Sequence, residues 1–168
     1  SSTTDKVLRR ANASLLIVPA YAEGDRVTDP ARIRRILVPL DTSPRAECVL
    51  PFAEHAVAAT GARLTLMRVV EAPARTDQVI DALDWEMLRV AAHAYLTRIA
   101  GELAGRGTAA SVELAQGRPA EQILSWIREH GVDLILMSTH GEGGLSGWSL
   151  SSTTDKVLRR ANASLLIV

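Results

Sequence analysis

SSTTDKVLRRANASLLIV fills residues 1–18 of this chain and, letter for letter, residues 151–168. In each copy the first half reads as a helix. Ser2 or Ser152 is an N-cap candidate, Asp5 or Asp155 follows three positions on as in a capping box, and Val7, Leu8 and Ala11, or Val157, Leu158 and Ala161, form an apolar stripe. The Ser-Leu-Leu-Ile-Val run that closes each copy suits a strand covered on both faces. The copies begin 150 residues apart, about the size of one common domain. A single fold has one slot for such a segment, so one helix-strand unit is surplus.

Upstream of the second copy the chain alternates regularly. Residues 34–40 (RRILVPL) read as the first strand, after which Asp41-Thr42-Ser43-Pro44 turns the chain into a helix with proline in its first turn. That helix runs to about Thr60 with Val49, Leu50, Ala53, Ala56 and Val57 on one face, and ends at Gly61. Residues 63–70 (RLTLMRVV) form the second strand and residues 71–77 a loop. Over residues 79–103 a long amphipathic helix is expected, because Leu83, Met87, Ala91, Tyr95, Ile99 and Leu103 recur every four positions before Gly105 and Gly107. Residues 110–115 are a third strand, 119–130 a helix with Ile123, Leu124 and Ile127 inward, and 132–138 (VDLILMS) a fourth strand. The second copy supplies the last helix and a fifth strand. Residues 19–32 (PAYAEGDRVTDPAR), with two prolines, a glycine and no apolar period, read as a linker. Alternating β and α elements with apolar strands predict an α/β fold, a parallel sheet with helices on both faces. In such sheets ligands sit outside the carboxyl ends of strands, where the strand order reverses.

Composition narrows the function classes. At 168 residues one domain is expected, and 47% hydrophobic content with only 4% aromatic suits helices on a parallel sheet. Nineteen basic and nineteen acidic residues cancel, which argues against nucleic acid and anionic membranes as partners. No signal peptide or long apolar run is present in the sequence, and a soluble, cytoplasmic chain is expected. The single cysteine, Cys48, falls in an apolar helical pattern and reads as a small core residue.

The segment after the fourth strand, residues 138–152 (STHGEGGLSGWSLSS), holds four glycines and five serines. Glycines let backbone amides approach a ligand, and the segment ends at a helix N-terminus whose unpaired N–H groups favour an anion. Ser151 and Ser152 add hydroxyl donors. An ordinary surface loop with a serine cap accounts for the same residues, so composition alone leaves both open. A P-loop lacks its Gly-Lys-Ser/Thr end. A dinucleotide fingerprint fails at Ser146 and at the missing acidic residue, and Gly147-Trp148-Ser149-Leu150-Ser151 lacks the closing glycine of a hydrolase elbow. His140 and Asp41 could serve as base and orienter, but a loop-stabilising or phosphate-side role suits His140 better.

Three motifs together resemble the universal stress protein family: Ile36 to Pro44 (ILVPLDTSP), Leu136 to Gly141 (LMSTHG), and Ser151 to Leu158 (SSTTDKVL). The resemblance covers residues 33–168 and implies a five-stranded parallel sheet of order 3-2-1-4-5, an adenine nucleotide alpha hydrolase-like fold. It also implies ATP or a related adenine nucleotide as ligand, with Mg²⁺ or Mn²⁺ accompanying the phosphates, and a regulatory stress-response role. A dedicated enzyme is not implied, although slow ATP hydrolysis stays open. The family's binding pattern is Gly, two residues, Gly, nine residues, Gly, then Ser or Thr, and its places here hold Ser138, Gly141, Ser151 and Ser152. Two of the three glycines are serines. Ser151 is the larger departure, since a Cβ stands where an amide should approach a phosphate. His140 and Thr153 flank these positions, and Pro39, Asp41 and Val69 match the adenosine-side places. The alternative is a nucleotide-free dimerisation module of the same fold, part of a tandem or larger protein. Family members pair along the fifth strand, which implies a homodimer. The strand run of residues 14–18 could add an antiparallel edge strand, either imitating a subunit partner in cis or exchanging into a neighbour. The first copy then reads as the tail of a preceding domain or as a duplicated segment.

Overall fold

The computed structural model describes residues 13–19, 33–71, 82–139 and 152–168. The helix expected over the first copy and the linker after residue 19 lie outside the described residues. Strands β1 (Leu15–Ile17), β2 (Arg35–Pro39), β3 (Arg63–Val70), β4 (Ala110–Gln116), β5 (Leu134–Met137) and β6 (Ser164–Ile167) form one sheet in the order β1-β6-β5-β2-β3-β4. Strands β2 to β6 are parallel and reproduce the expected 3-2-1-4-5 order; β1 pairs antiparallel with β6 as an added edge. The helices are α1 (Pro44–Glu47), α2 (Leu50–Thr60), α3 (Ala82–Gly105), α4 (Pro119–His130) and α5 (Ser152–Arg160). None of the described helices is long and apolar enough to cross a membrane.

Strand alternation divides the core. On one face Ile36, Val38, Leu64, Leu66, Leu134 and Leu136 pack under α2 and α3, through Ala53, Leu96, Ile99 and Leu103. On the other, Leu37, Met67, Val69, Ile135, Met137, Leu165 and Ile167 pack under α4 and α5, through Ile123, Ile127 and Val157. All four residues of β5 are buried, which is why its sequence is an unbroken apolar run. Proline in the first turn opens α4, and Gly131 closes it at φ 58° with its N–H on the Ile127 carbonyl.

Four expectations need correction. The helix after β2 is broken at Cys48 and Val49 into α1 and α2, because Pro51 has no N–H for the Glu47 carbonyl and its ring would clash there. Cys48 therefore sits exposed in the break rather than in the core, and partial burial of its thiol pushes the pKa up. In α3 the four-residue repeat does not hold one face. Each step of four turns about 40° past a full revolution, so Leu83 and Leu103 end about 200° apart. The buried set is Ala92, Leu96, Ile99 and Leu103, while Leu83, Met87 and Val90 are exposed. Finally, Ser152 is the first helical residue of α5 rather than its cap, and Asp155 pairs with Arg159 Nε at 2.9 Å instead of closing a capping box.

The start of the sheet is locked by side chains. Asp133 Oδ2 accepts from the amides of Arg34 and Arg35 at 2.9 and 3.0 Å, and Arg35 donates to the His130 carbonyl at the end of α4 at 2.7 Å. Arg34, Arg35 and Asp133 line a groove of about 640 Å³ with Ile33, Thr60, Gly61, Arg63 and Gly131. Two helix C-termini meet there, so the arginines answer carbonyls and dipoles already present. This groove is a structural seam, at the opposite end of the strands from the chemistry read in the sequence.

Candidate functional site

The strand order reverses between β2 and β5. From β2 the chain crosses by α1 and α2 to β3 on one side; from β5 it crosses by α5 to β6 on the other. This leaves a crevice outside the carboxyl ends of the two strands. Pro39 ends β2 beside Met67 of β3, and the Leu40 amide donates to the Met67 carbonyl at 2.8 Å.

Asp41 stands at the mouth, half-buried, and its Oδ1 accepts from the Ser43 amide at 3.0 Å and the Ser43 hydroxyl at 2.6 Å. Ser43 in turn caps α1, its Oγ accepting from the Ala46 amide at 3.1 Å. Between them Thr42 has φ 75°, a left-handed conformation that costs a β-branched residue on the order of 1 kcal/mol. The two side-chain hydrogen bonds flanking Thr42 hold it there. Replacing Asp41 by alanine is expected to lower stability by about 1–2 kcal/mol in urea titrations, through loss of this turn. Asparagine, which keeps an acceptor, should cost less than half as much; equal losses would mean the turn does not depend on the Asp41 oxygen.

Across the crevice, the end of β5 is pinned from two directions. The Val168 amide donates to the Met137 carbonyl at 3.0 Å and the Thr139 amide to the Val168 carbonyl at 2.9 Å, so β5 and β6 stay paired to their ends. The Thr154 hydroxyl, 1% exposed, donates to the Ser138 carbonyl at 3.2 Å. That bond seats the first turn of α5 on the strand end, with Ser152 exposed and Thr153 half-buried beside it. No motif singles out Thr154 in the sequence, although its spacing from Val157, Leu158 and Ala161 places it on the buried stripe. A second residue that sequence reasoning misses is Tyr95 of α3. Its hydroxyl donates to Glu47 Oε1 at 2.9 Å, tying α3 to α1 behind Asp41. Burial, and then the Glu47 carboxylate, push the Tyr95 pKa well up.

The structure thus brings Pro39, Asp41, Ser138, Ser152 and Thr153 to the ends of adjacent elements. Val69 lies close by on β3, but its side chain is 5% exposed and committed to the core under α4 and α5, leaving only its backbone at the strand end. His140, Gly141 and Ser151 lie outside the described residues. The sequence model of the universal stress protein family matches residues 32–168. The chain belongs to that family. Universal stress protein MJ0577 of Methanocaldococcus jannaschii is 36% identical over 52 residues, 31% of this chain and 32% of the relative. Matched segments span only 32 to 44% of the curated relatives' own length. Universal stress protein UspA from Lactobacillus plantarum shares the fold at TM-score 0.72 and 26% identity, over 82% of this chain and 98% of its own. A universal stress protein solved in complex with cAMP shares it at TM-score 0.59 and 20% identity, over 80% and 95%. In this universal stress protein the crevice between β2 and β5 is therefore a feature of the shared fold, while Asp41, Ser43 and Thr154 are what this chain places around it.

Proposed function

We propose that this universal stress protein binds ATP or a related adenine nucleotide at the carboxyl ends of β2 and β5, in a regulatory rather than metabolic role. The observation that carries the reading is the Thr154 hydroxyl bond to the Ser138 carbonyl, which aims the N-terminal turn of α5 at the switch point between β2 and β5. A relative of the same fold solved with cAMP supports an adenine nucleotide as the class of ligand. Adenosine would lie against Pro39, Asp41 and the backbone at Val69. The half-buried Asp41 carboxylate could accept from a ribose hydroxyl or the adenine amine while keeping its bonds to Ser43. Phosphates would lie over Gly141, Ser151, Ser152 and Thr153, with Ser138 and His140 beside them. Ser152 is exposed at the first helical position, where its amide and hydroxyl suit a phosphate oxygen.

Among the described residues no three His, Cys, Asp or Glu side chains gather as a metal site, so Mg²⁺ or Mn²⁺ would arrive on the nucleotide's own phosphates. The chemistry the chain supplies is binding and orientation. The protein partner in this reading is a second copy, paired through β6 when β1 leaves that edge.

The test has two parts. Purified protein is unfolded and released small molecules are identified by mass spectrometry; then ATP is titrated calorimetrically into the emptied protein. A released adenine nucleotide or a saturable heat is expected. No released nucleotide together with no heat at millimolar ATP would overturn the reading.

A further inference from the structure

We propose that β1 is a cap in cis that holds the β6 edge closed against a second copy of this chain, in the register that copy would use. The proposal rests on the reading of β6 as the edge through which copies pair. Its independent support is the symmetry of the observed pairing. Leu15 lies opposite Ile167, Leu16 opposite Leu166, and Ile17 opposite Leu165. Because residues 151–168 repeat residues 1–18, each strand meets its own sequence, with the middle leucine of one facing the middle leucine of the other. A two-fold axis through the Leu16 and Leu166 pair would exchange the two strands, and such an axis is what an isologous pairing of two identical β6 strands requires. The edge therefore already accepts the sequence that a second copy would bring, in a self-complementary register.

The two claimants differ in how far their strand side chains are buried. β1 covers the edge as a short strand whose Leu16 stays 58% exposed and whose following Val18 stays 42% exposed. A second copy's β6 is backed by its own α5, and its Leu165 and Ile167 are already buried at 2% each. Both satisfy the backbone groups of β6, so they exclude one another. β1 meets β6 over three residue pairs only, and an edge pairing that short can open.

The experiment uses the full chain. Leu16→Pro with Ile17→Pro removes β1 as a strand, because one of two adjacent amides faces β6 whatever the phase of the ladder, and neither change touches β6. In a Cys48→Ser background, Leu166→Cys reports the register: paired α-carbons in an antiparallel ladder lie about 4.5–5.5 Å apart, within disulfide range. The parent is expected to sediment as a monomer at micromolar concentration. The double-proline variant should double in sedimenting mass and, once Leu166→Cys is added, form a disulfide-linked dimer on oxidation. If parent and variant are both dimers that cross-link through the introduced thiol, the edge reading stands and the cap proposal falls. If both are monomers, the edge reading fails and the proposal with it. A dimer that appears only in the variant but does not cross-link at position 166 would overturn the shared register.

Discussion

Replacing Leu165 by alanine is expected to lower the free energy of unfolding by about 3 kcal/mol, while the same change at Leu15 costs under about 1 kcal/mol. The two leucines stand at equivalent places in identical eighteen-residue segments, so local sequence and strand propensity cannot distinguish them. Tertiary placement does. Leu165 is 2% exposed in the core under α4 and α5, one strand in from the edge, and cutting it back leaves a cavity that surrounding β5 and α5 side chains close only in part. Leu15 sits on the edge strand, half-buried, where solvent fills what the side chain vacates. For a domain of this size the Leu165 change should bring the melting midpoint down by roughly 6–12 °C. Denaturant titration of the two single variants checks the pair. Equal losses would mean that the two copies share the β6 position between them, and the assignment of the second copy to the sheet interior would be wrong.

The same contrast marks where the sequence is legible. Strand β5 is a continuous apolar run, as is β2 after Arg35, because both faces are covered, and α4 is readable to its ends because Pro119 and Gly131 each have a local backbone reason to be there. What misleads is local pattern without its three-dimensional reference. The every-four repeat in α3 looks like one stripe in the sequence, yet only a helix supercoiled to that period would keep it so; the straight helix rotates Leu83 and Met87 out to solvent. Pro51 is plain in the sequence and so is its consequence for Glu47, but the apolar face of α2 masks the break. At the site, Asp41-Thr42-Ser43-Pro44 is readable as a turn into a helix, and the structure makes Ser43 its cap with Asp41 bonded to Ser43. The bond from Thr154 to Ser138, sixteen residues apart, depends on how α5 docks on β5 and leaves only the buried stripe as its trace in the sequence.

Gly141 offers the largest expected effect on binding. Gly141→Val is expected to reduce affinity for adenine nucleotide at least 100-fold while moving the melting midpoint by no more than a few degrees. No lysine lies in residues 138–152, so recognition of a phosphate would rest on backbone amides, serine hydroxyls and the first turn of α5. Hydrogen bonds from amides to a charged oxygen contribute about 1.5–3 kcal/mol each, and each ~1.4 kcal/mol is tenfold in affinity. Displacing the phosphate enough to lose two such bonds therefore accounts for 100-fold or more. A branched side chain at Gly141 does this in two ways: it fills the space an amide needs for close approach, and it restricts the backbone where glycine left it free. Ser138 and Ser151 already stand where the family pattern has glycine, which makes Gly141 the last of the three. The residues that hold the sheet ends together, Thr154 with Ser138 and Val168 with Met137, are untouched by the substitution, so the fold should persist. Calorimetric titration with ATP, paired with thermal unfolding of the unliganded proteins, separates the two effects. Parent-like affinity in a folded Gly141→Val protein would show that nucleotide binding does not depend on Gly141.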